Sequence, residues 1–349
     1  MKKECLIIIS SFFLLSTACQ RDEVDIGTNS DWLIPQNEIR DGGPGKDGIP
    51  SIDNPDFITV SEVDFLQDDD LVIAVKYGEE IRGYAHVILD WHEIVNDQKD
   101  DLALSINYCP LTGTAIGWNR MIAGRMTEFG VSGLLYNTNL IPYDRATDSN
   151  WSQMRLECVE GELQGTKAEL HPVVETTWKT IKERYPETRI LSLNTGFNRS
   201  YGRYPYGDYK TSSSLLFPVS NTDNTIFAKE RVLGVIVEDA TTVYQYFHFS
   251  DAKTVLQDQV GDQEIVIFGS QTANYLVAYQ AQTEGGDSLS FESVVDSDEA
   301  VAIDNEGNEW NLFGEAISGE RKGQRLKTTR SYIGYFFSWA AFYPELEIF

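Results

Sequence analysis

The residues in this chain best suited to chemistry are a thiol, a hydroxyl three positions after it, and an imidazole upstream. In YCPLTGTAIGW, residues 108–118, Cys109 precedes a proline and Thr112 follows within one turn. A thiol reacts as thiolate, and its free pKa of about 8.5 must be lowered by a cation, by a helix N-terminus or by hydrogen bonds. Proline has no amide proton, but the amides of Leu111, Thr112 and Gly113 and the Thr112 hydroxyl could point back at sulfur if the chain turns there. With threonine in place of a second cysteine no local CxxC disulfide can form, so a resolving thiol would be Cys158 or an external one.

His92, in DWHEIVND, is a candidate general base or counter-ion for Cys109. Its competing reading is a histidine hydrogen-bonded in the core. With His86 and Cys109 it also forms a candidate soft-metal set, suited to copper or zinc, although the spacing matches no recognised metal signature. Met154 would be a further soft donor or simply packed. The leading reading needs no metal, and the cofactor is left unassigned.

Cysteine usage frames a second alternative. The chain has four cysteines. MKKECLIIISSFFLLSTACQ reads as an export signal over residues 1–19, with LSTAC resembling a lipobox that would lipidate Cys19. Cys5 leaves with the signal, so Cys109 and Cys158 remain in an oxidising setting, where they could form a disulfide. The protein is then expected in the cell envelope, held to a membrane only by lipid. The net charge of −26 argues against a nucleic-acid partner. A small molecule or a thiol or disulfide partner remains.

The elements that must position these groups follow from periodicity. Residues 20–55, rich in Asp, Asn, Gly and Pro, are expected to form a flexible tether. GGPGKDGIP within it is no phosphate loop, because Asp47 follows the lysine and no strand precedes it. Beyond it, β-branched runs broken by GEE, EDA, DD and GD turns predict strands, and the apolar stretches ending at YP predict short helices. The segment from Val72 can be laid without gaps on that from Val232, with Tyr84 on Tyr244 and Val95 on Val255. On this basis the expected fold is α+β, strand-rich, built by internal duplication. Its first half would span 56–200 and its second, degenerate half 201–349. His92 then falls on Ala252 and Cys109 on Gly269, which sets both apart from a shared scaffold.

Two further blocks are candidate binding elements. YDRATDSNWSQM offers Tyr143, Arg145, Trp151 and Gln153 as a polar lining, with Asp144 and Arg145 alternatively capping a turn. RSYGRYPYGDY, with Tyr201 and Arg203, reads as a pocket rim or lid.

Taken in order, WHEIVND, YCPLTGTAIGWNR, FGVSGLLYNTNLIPYDRATDSNWSQM, GELQGTKAEL and NRSYGRYPYGDY resemble the successive blocks of the DUF3179 family, an exported family of unknown function. The resemblance runs from Gly42 to the C-terminal WAAFYPELE. Many of its members carry a second cysteine where this chain has Thr112. The family also resembles one with selenocysteine at the position of Cys109, which implies redox chemistry there. The sequence therefore favours an exported, lipid-anchored thiol redox protein, with a copper or soft-metal protein and a disulfide-bridged binding lipoprotein as alternatives.

Overall fold

The computed structural model describes residues 32–295 and 297–349. The proposed signal, Cys19 and the first part of the proposed tether lie outside the described residues. Strands dominate. The three α-helices among the described residues, His86–His92, Trp178–Arg184 and Phe336–Phe342, have seven residues each. None is long and apolar enough to cross a membrane.

The expectation of an α+β fold is therefore corrected: the chain is mostly β, and its strands divide among several separate sheets. Internal duplication is not shown. Strands Val174–Thr177, Leu71–Tyr77, Glu80–Ala85 and Arg189–Leu191 do lie in the same order as Arg330–Tyr335, Arg231–Val237, Ala240–Gln245 and Glu347–Ile348. However, the five-stranded sheet of the first half, Ile39–Asp41, Phe129–Tyr136, Asn139–Asp144, Asn150–Ser152 and Glu157–Glu160, has no five-stranded counterpart in the second. The gapless alignment rests on alternating apolar residues, a pattern that any half-buried strands share.

Strand Leu71–Tyr77 is buried over most of its length, so its LVIAVKY run is apolar on both faces instead of alternating. It pairs antiparallel with Glu80–Ala85, and the chain then enters helix His86–His92. That helix ends because Glu93 takes the left-handed conformation, φ 58°, with its amide bonded to the Leu89 carbonyl. A left-handed non-glycine residue costs about 1 kcal/mol or more. Here it redirects the chain into strand Ile94–Lys99, which pairs with Leu102–Cys109, which pairs in turn with Thr114–Asn119.

The turn joining the last two strands is Pro110 to Gly113. Gly113 sits at φ 61°, and a Cβ there would lie 2.9 Å from the Tyr335 ring, so only glycine fits. The Thr112 carbonyl accepts from the Tyr335 amide at 2.7 Å, docking the turn on the C-terminal part of the chain. One core cluster likewise joins Cys109, Trp118, Phe129, Trp151 and Met154 to Tyr332, Phe336 and Trp339. The two stretches expected as halves of one globular unit thus share a core.

The described part of the expected tether, residues 32–55, is packed. Ile39–Asp41 pairs with Phe129–Tyr136, and Ile34, Ile39 and Ile52 are buried. Gly45 presses against Gly133, where φ is 83° and an added Cβ would meet the Gly45 carbonyl carbon at 2.7 Å. Composition suggested free chain because these residues have no period of their own. Their order comes from long-range partners.

Candidate active site: a buried thiol and carboxyl on one cavity

Cys109 ends its strand at a cavity of about 360 Å³. One wall is the 42–49 segment, with Gly42, Pro44, Gly48 and Ile49. A second is the end of helix His86–His92, with Asp90, Trp91 and the following Glu93. A third is strand Phe129–Tyr136, with Val131 and Leu135 among its lining residues. Arg199, Pro205, Tyr206 and Phe217 close it from the 199–217 loop.

That loop is tied down by polar contacts to the turn after Cys109. The Tyr204 hydroxyl donates to the Pro110 carbonyl at 3.1 Å, and the Tyr209 hydroxyl to the Leu111 carbonyl at 3.0 Å. The Tyr206 hydroxyl reaches Glu93 Oε1 at 3.5 Å. Lys210 pairs with Asp90 at 3.2 Å, and the Trp91 indole donates to the Arg203 carbonyl at 3.1 Å. Lys229 fixes the loop from behind, donating to the carbonyls of Tyr209, Ser212 and Ser214 at 2.6 Å each. The RSYGRYPYGDY loop thus covers the thiol, but its contributions to the cavity are Arg199, Pro205 and Tyr206, not Tyr201 or Arg203.

Electrostatics at the site reverse the expected lowering of the thiol pKa. Cys109 is 1% exposed, and burial, then the nearby Glu93 charge, push its pKa up to about 11. Thr112 acts in the expected direction, its hydroxyl and amide lowering the value together with the Leu140 amide, but burial outweighs them. Glu93 is 6% exposed, and burial raises its carboxyl to about 8; Asp90 adds to the rise, and the Tyr206 hydrogen bond opposes it. A carboxyl titrating near neutrality beside a thiol can take up and return a proton, which neither an ordinary glutamate nor the thiol alone does at pH 7.

His92 is not the partner of Cys109. Its Nδ1 bonds the Pro50 carbonyl at 2.7 Å and its Nε2 the Tyr201 hydroxyl at 2.6 Å, so both ring nitrogens are engaged. Burial holds its pKa below the usual value. His86 lies in another environment, tilted against the Tyr108 ring and 3.7 Å from Glu175. Among the described residues no group of three or more His, Cys, Asp or Glu side chains could hold a metal, so the His86, His92 and Cys109 set is not assembled. Nor is there a disulfide: Cys109 and Cys158 are both buried free thiols. Cys158 lies in strand Glu157–Glu160 with its sulfur 3.3 Å from the Glu160 carbonyl.

The remaining candidates hold the scaffold. Arg145 pairs with Asp53 at 2.6 Å, Glu128 at 3.2 Å and Asp47 at 3.5 Å, and Tyr143 donates to Asp47 at 2.5 Å. Together they fasten the 46–53 segment to the body. The Trp151 indole donates to Asp144 at 3.2 Å. Gln153 accepts from Thr114 at 2.6 Å and from Asn139 at 2.7 Å, and Asn139 also donates to Thr112 at 2.9 Å. This buried network sets the geometry of the turn after Cys109 and leaves the cavity to other residues.

Sequence reasoning missed Glu93, Asp90 and Tyr206. A usable signal was present: Glu93 is an acid placed directly before the apolar Ile94–Val95 strand start, where nothing obliges a charge to be exposed.

Fold and site together define a mostly β protein with a thiol and a carboxyl buried on one small-molecule-sized cavity. A family model described as "Protein of unknown function (DUF3179)" matches residues 46–346, and the chain belongs to that family. No curated protein and no solved structure matches the chain.

Proposed function

We propose that this chain is a thiol-dependent redox protein acting on a small molecule, with Cys109 as its reactive group and Glu93 as its proton partner. The observation that carries the reading is that both line the same cavity of about 360 Å³. A sulfur 1% exposed is closed to a folded protein disulfide, which favours a small oxidant over exchange with a protein partner. Reduced protein treated with hydrogen peroxide and trapped with a dimedone-type reagent is expected to carry sulfenic acid label at Cys109, lost in Cys109→Ser. Label confined to Cys158, or none with any hydroperoxide tried, would refute the redox role.

The proposed setting is the cell envelope, with a lipid on Cys19 as the anchor. The Cys19→Ala protein is then expected in the soluble fraction after cell breakage. Its retention on membranes would end that part of the reading.

A further inference from the structure

We infer that the oxidant is an organic hydroperoxide with an uncharged reacting end and an apolar tail, and that Glu93 carries the thiol proton to the departing alkoxide. This rests on the redox reading of Cys109 and goes beyond it in naming the substrate class and the path of the proton.

Three observations bear on the substrate. The cavity, about 360 Å³, falls in the range of small-molecule pockets, roughly 300–1,000 Å³, and far exceeds what hydrogen peroxide needs. Most of the rest of its lining is apolar, with Ile49, Leu111, Val131, Leu135, Leu140 and Phe217. The polar end brings Cys109 together with Asp90, which is paired with Lys210, and Glu93, which is mostly protonated at pH 7, so that end is close to neutral and suits an uncharged reacting group. A hydroperoxide is neutral at pH 7, and its O–O bond would lie at the polar end with its tail along the aliphatic wall.

The step balances without further reagents. The ionised fraction of Glu93, which grows as the pH rises towards about 8, accepts the Cys109 proton. The sulfur electron pair attacks the terminal peroxide oxygen, an S–O bond forms, and the O–O bond breaks. The alkoxide leaves and takes the proton back from Glu93. Cys109 ends as sulfenic acid, oxidised by two electrons, and the hydroperoxide is reduced by two electrons to an alcohol. Two equivalents of a small thiol then return Cys109 to the thiol, releasing water and a disulfide.

The groups facing Glu93 are Asp90 from its own helix, itself paired with Lys210, Tyr206 from the covering loop, and Cys109 from the neighbouring strand. Arg199, also on the cavity, is the one cation among the described lining residues. Glu93 is therefore the lining carboxyl without a salt-bridge partner among the described residues, free to cycle its proton.

The test uses reduced full-length protein, cumene hydroperoxide and hydrogen peroxide, with alcohol release followed by chromatography and Cys109 oxidation by mass spectrometry. One equivalent of cumyl alcohol per protein is expected, formed at least ~10-fold faster than the reaction with hydrogen peroxide, because the tail supplies binding energy. Glu93→Gln is expected to slow the cumene hydroperoxide reaction by roughly 100-fold, in the range of general acid–base contributions, and to remove its pH dependence near neutrality. Val131→Phe, which fills the apolar wall, is expected to slow cumene hydroperoxide by about 10-fold while changing hydrogen peroxide by no more than about 2-fold. Near-UV circular dichroism confirms that both variants are folded. Equal rates for the two oxidants, an equal loss for both in Val131→Phe, or an unchanged rate in Glu93→Gln would overturn the inference. Hydrogen peroxide marking Cys109 while cumene hydroperoxide does not would reject this substrate alone; failure of both to mark it would reject the redox reading itself.

Discussion

Glu93→Gln is expected to stabilise the folded protein by roughly 3 kcal/mol at pH 7 and by less than about 1 kcal/mol at pH 5. The folded carboxyl titrates at about 8, against 4.5 for the free group, and burial is the main cause. Between those values the folded chain holds a proton that the unfolded chain has released. Wild-type stability from this group is therefore greatest below the unfolded value and is lost as pH rises towards about 8. Asp90 shifts the same way through burial, although Lys210 opposes it. Glutamine is neutral in both states and nearly isosteric with the protonated acid, so it removes the Glu93 contribution to that slope. Urea unfolding at pH 5, 6, 7 and 8 measures the difference. Equal gains at every pH would show that Glu93 is ionised in the fold, and the proton role would fail with it. A glutamate kept at this position at such a cost is consistent with use of its proton in function.

Glu175→Ala is expected to produce the largest loss, about 3–5 kcal/mol, because it removes a buried carboxylate that pairs with a largely buried cation. Glu175 is 2% exposed on strand Val174–Thr177, and its Oε1 accepts from Arg231 at the start of strand Arg231–Val237. Burial alone would raise this carboxyl, but Arg231 and His86 together hold it below the ordinary value. Removing it leaves Arg231 with Asn274, at 2.6 Å, as its remaining hydrogen-bond partner among the described residues. The double variant with Arg231→Ala should lose less than the sum of the single losses, since the second change removes the stranded charge. Additive losses in urea unfolding would show that the pair is not coupled. The same depressed carboxyl contributes stability above its unfolded value, 4.5, which is lost as the pH falls through the lower folded value.

The position of Cys109 at a strand end and the covering loop were legible because their signals are local. A cysteine at a strand end before Pro-Leu-Thr-Gly, and an aromatic loop punctuated by glycine and proline, carry their geometry in adjacent residues. What failed depends on contacts distant in sequence. His92 had the right chemistry for a base, but Pro50, 42 positions away, and Tyr201, 109 positions away, consume both its nitrogens. Arg145 was expected in a polar pocket lining and is instead neutralised by Asp47, Asp53 and Glu128. Glu93, one residue beyond His92, was overlooked because a charged residue after a helix is ordinarily solvated; its left-handed turn places the side chain on the cavity instead. The thiol pKa was misjudged for a related reason: the hydrogen bonds from Thr112 are there, but the degree of burial that overrides them is a tertiary property.

The strands themselves were readable from their β-branched runs, whereas the way they assort into sheets was not. Alternation specifies which face of a strand is buried and not which strand lies beside it. Hence the first half could acquire a five-stranded sheet that recruits Ile39–Asp41 from a segment whose composition reads as linker.

The central claim, that Cys109 reacts under the control of Glu93, is tested most directly by the pH dependence of Cys109 alkylation by iodoacetamide, in wild type and Glu93→Gln. The thiol and carboxyl share their protons, so the first to leave belongs to the pair. Wild type is expected to show a rate that rises through an inflection at about 8 and rises again only towards about 11. The glutamine variant is expected to lose the lower inflection and keep a single one, above the free-thiol value of about 8.5. Identical profiles for the two proteins, or a wild-type rate without an inflection at about 8, would contradict the account.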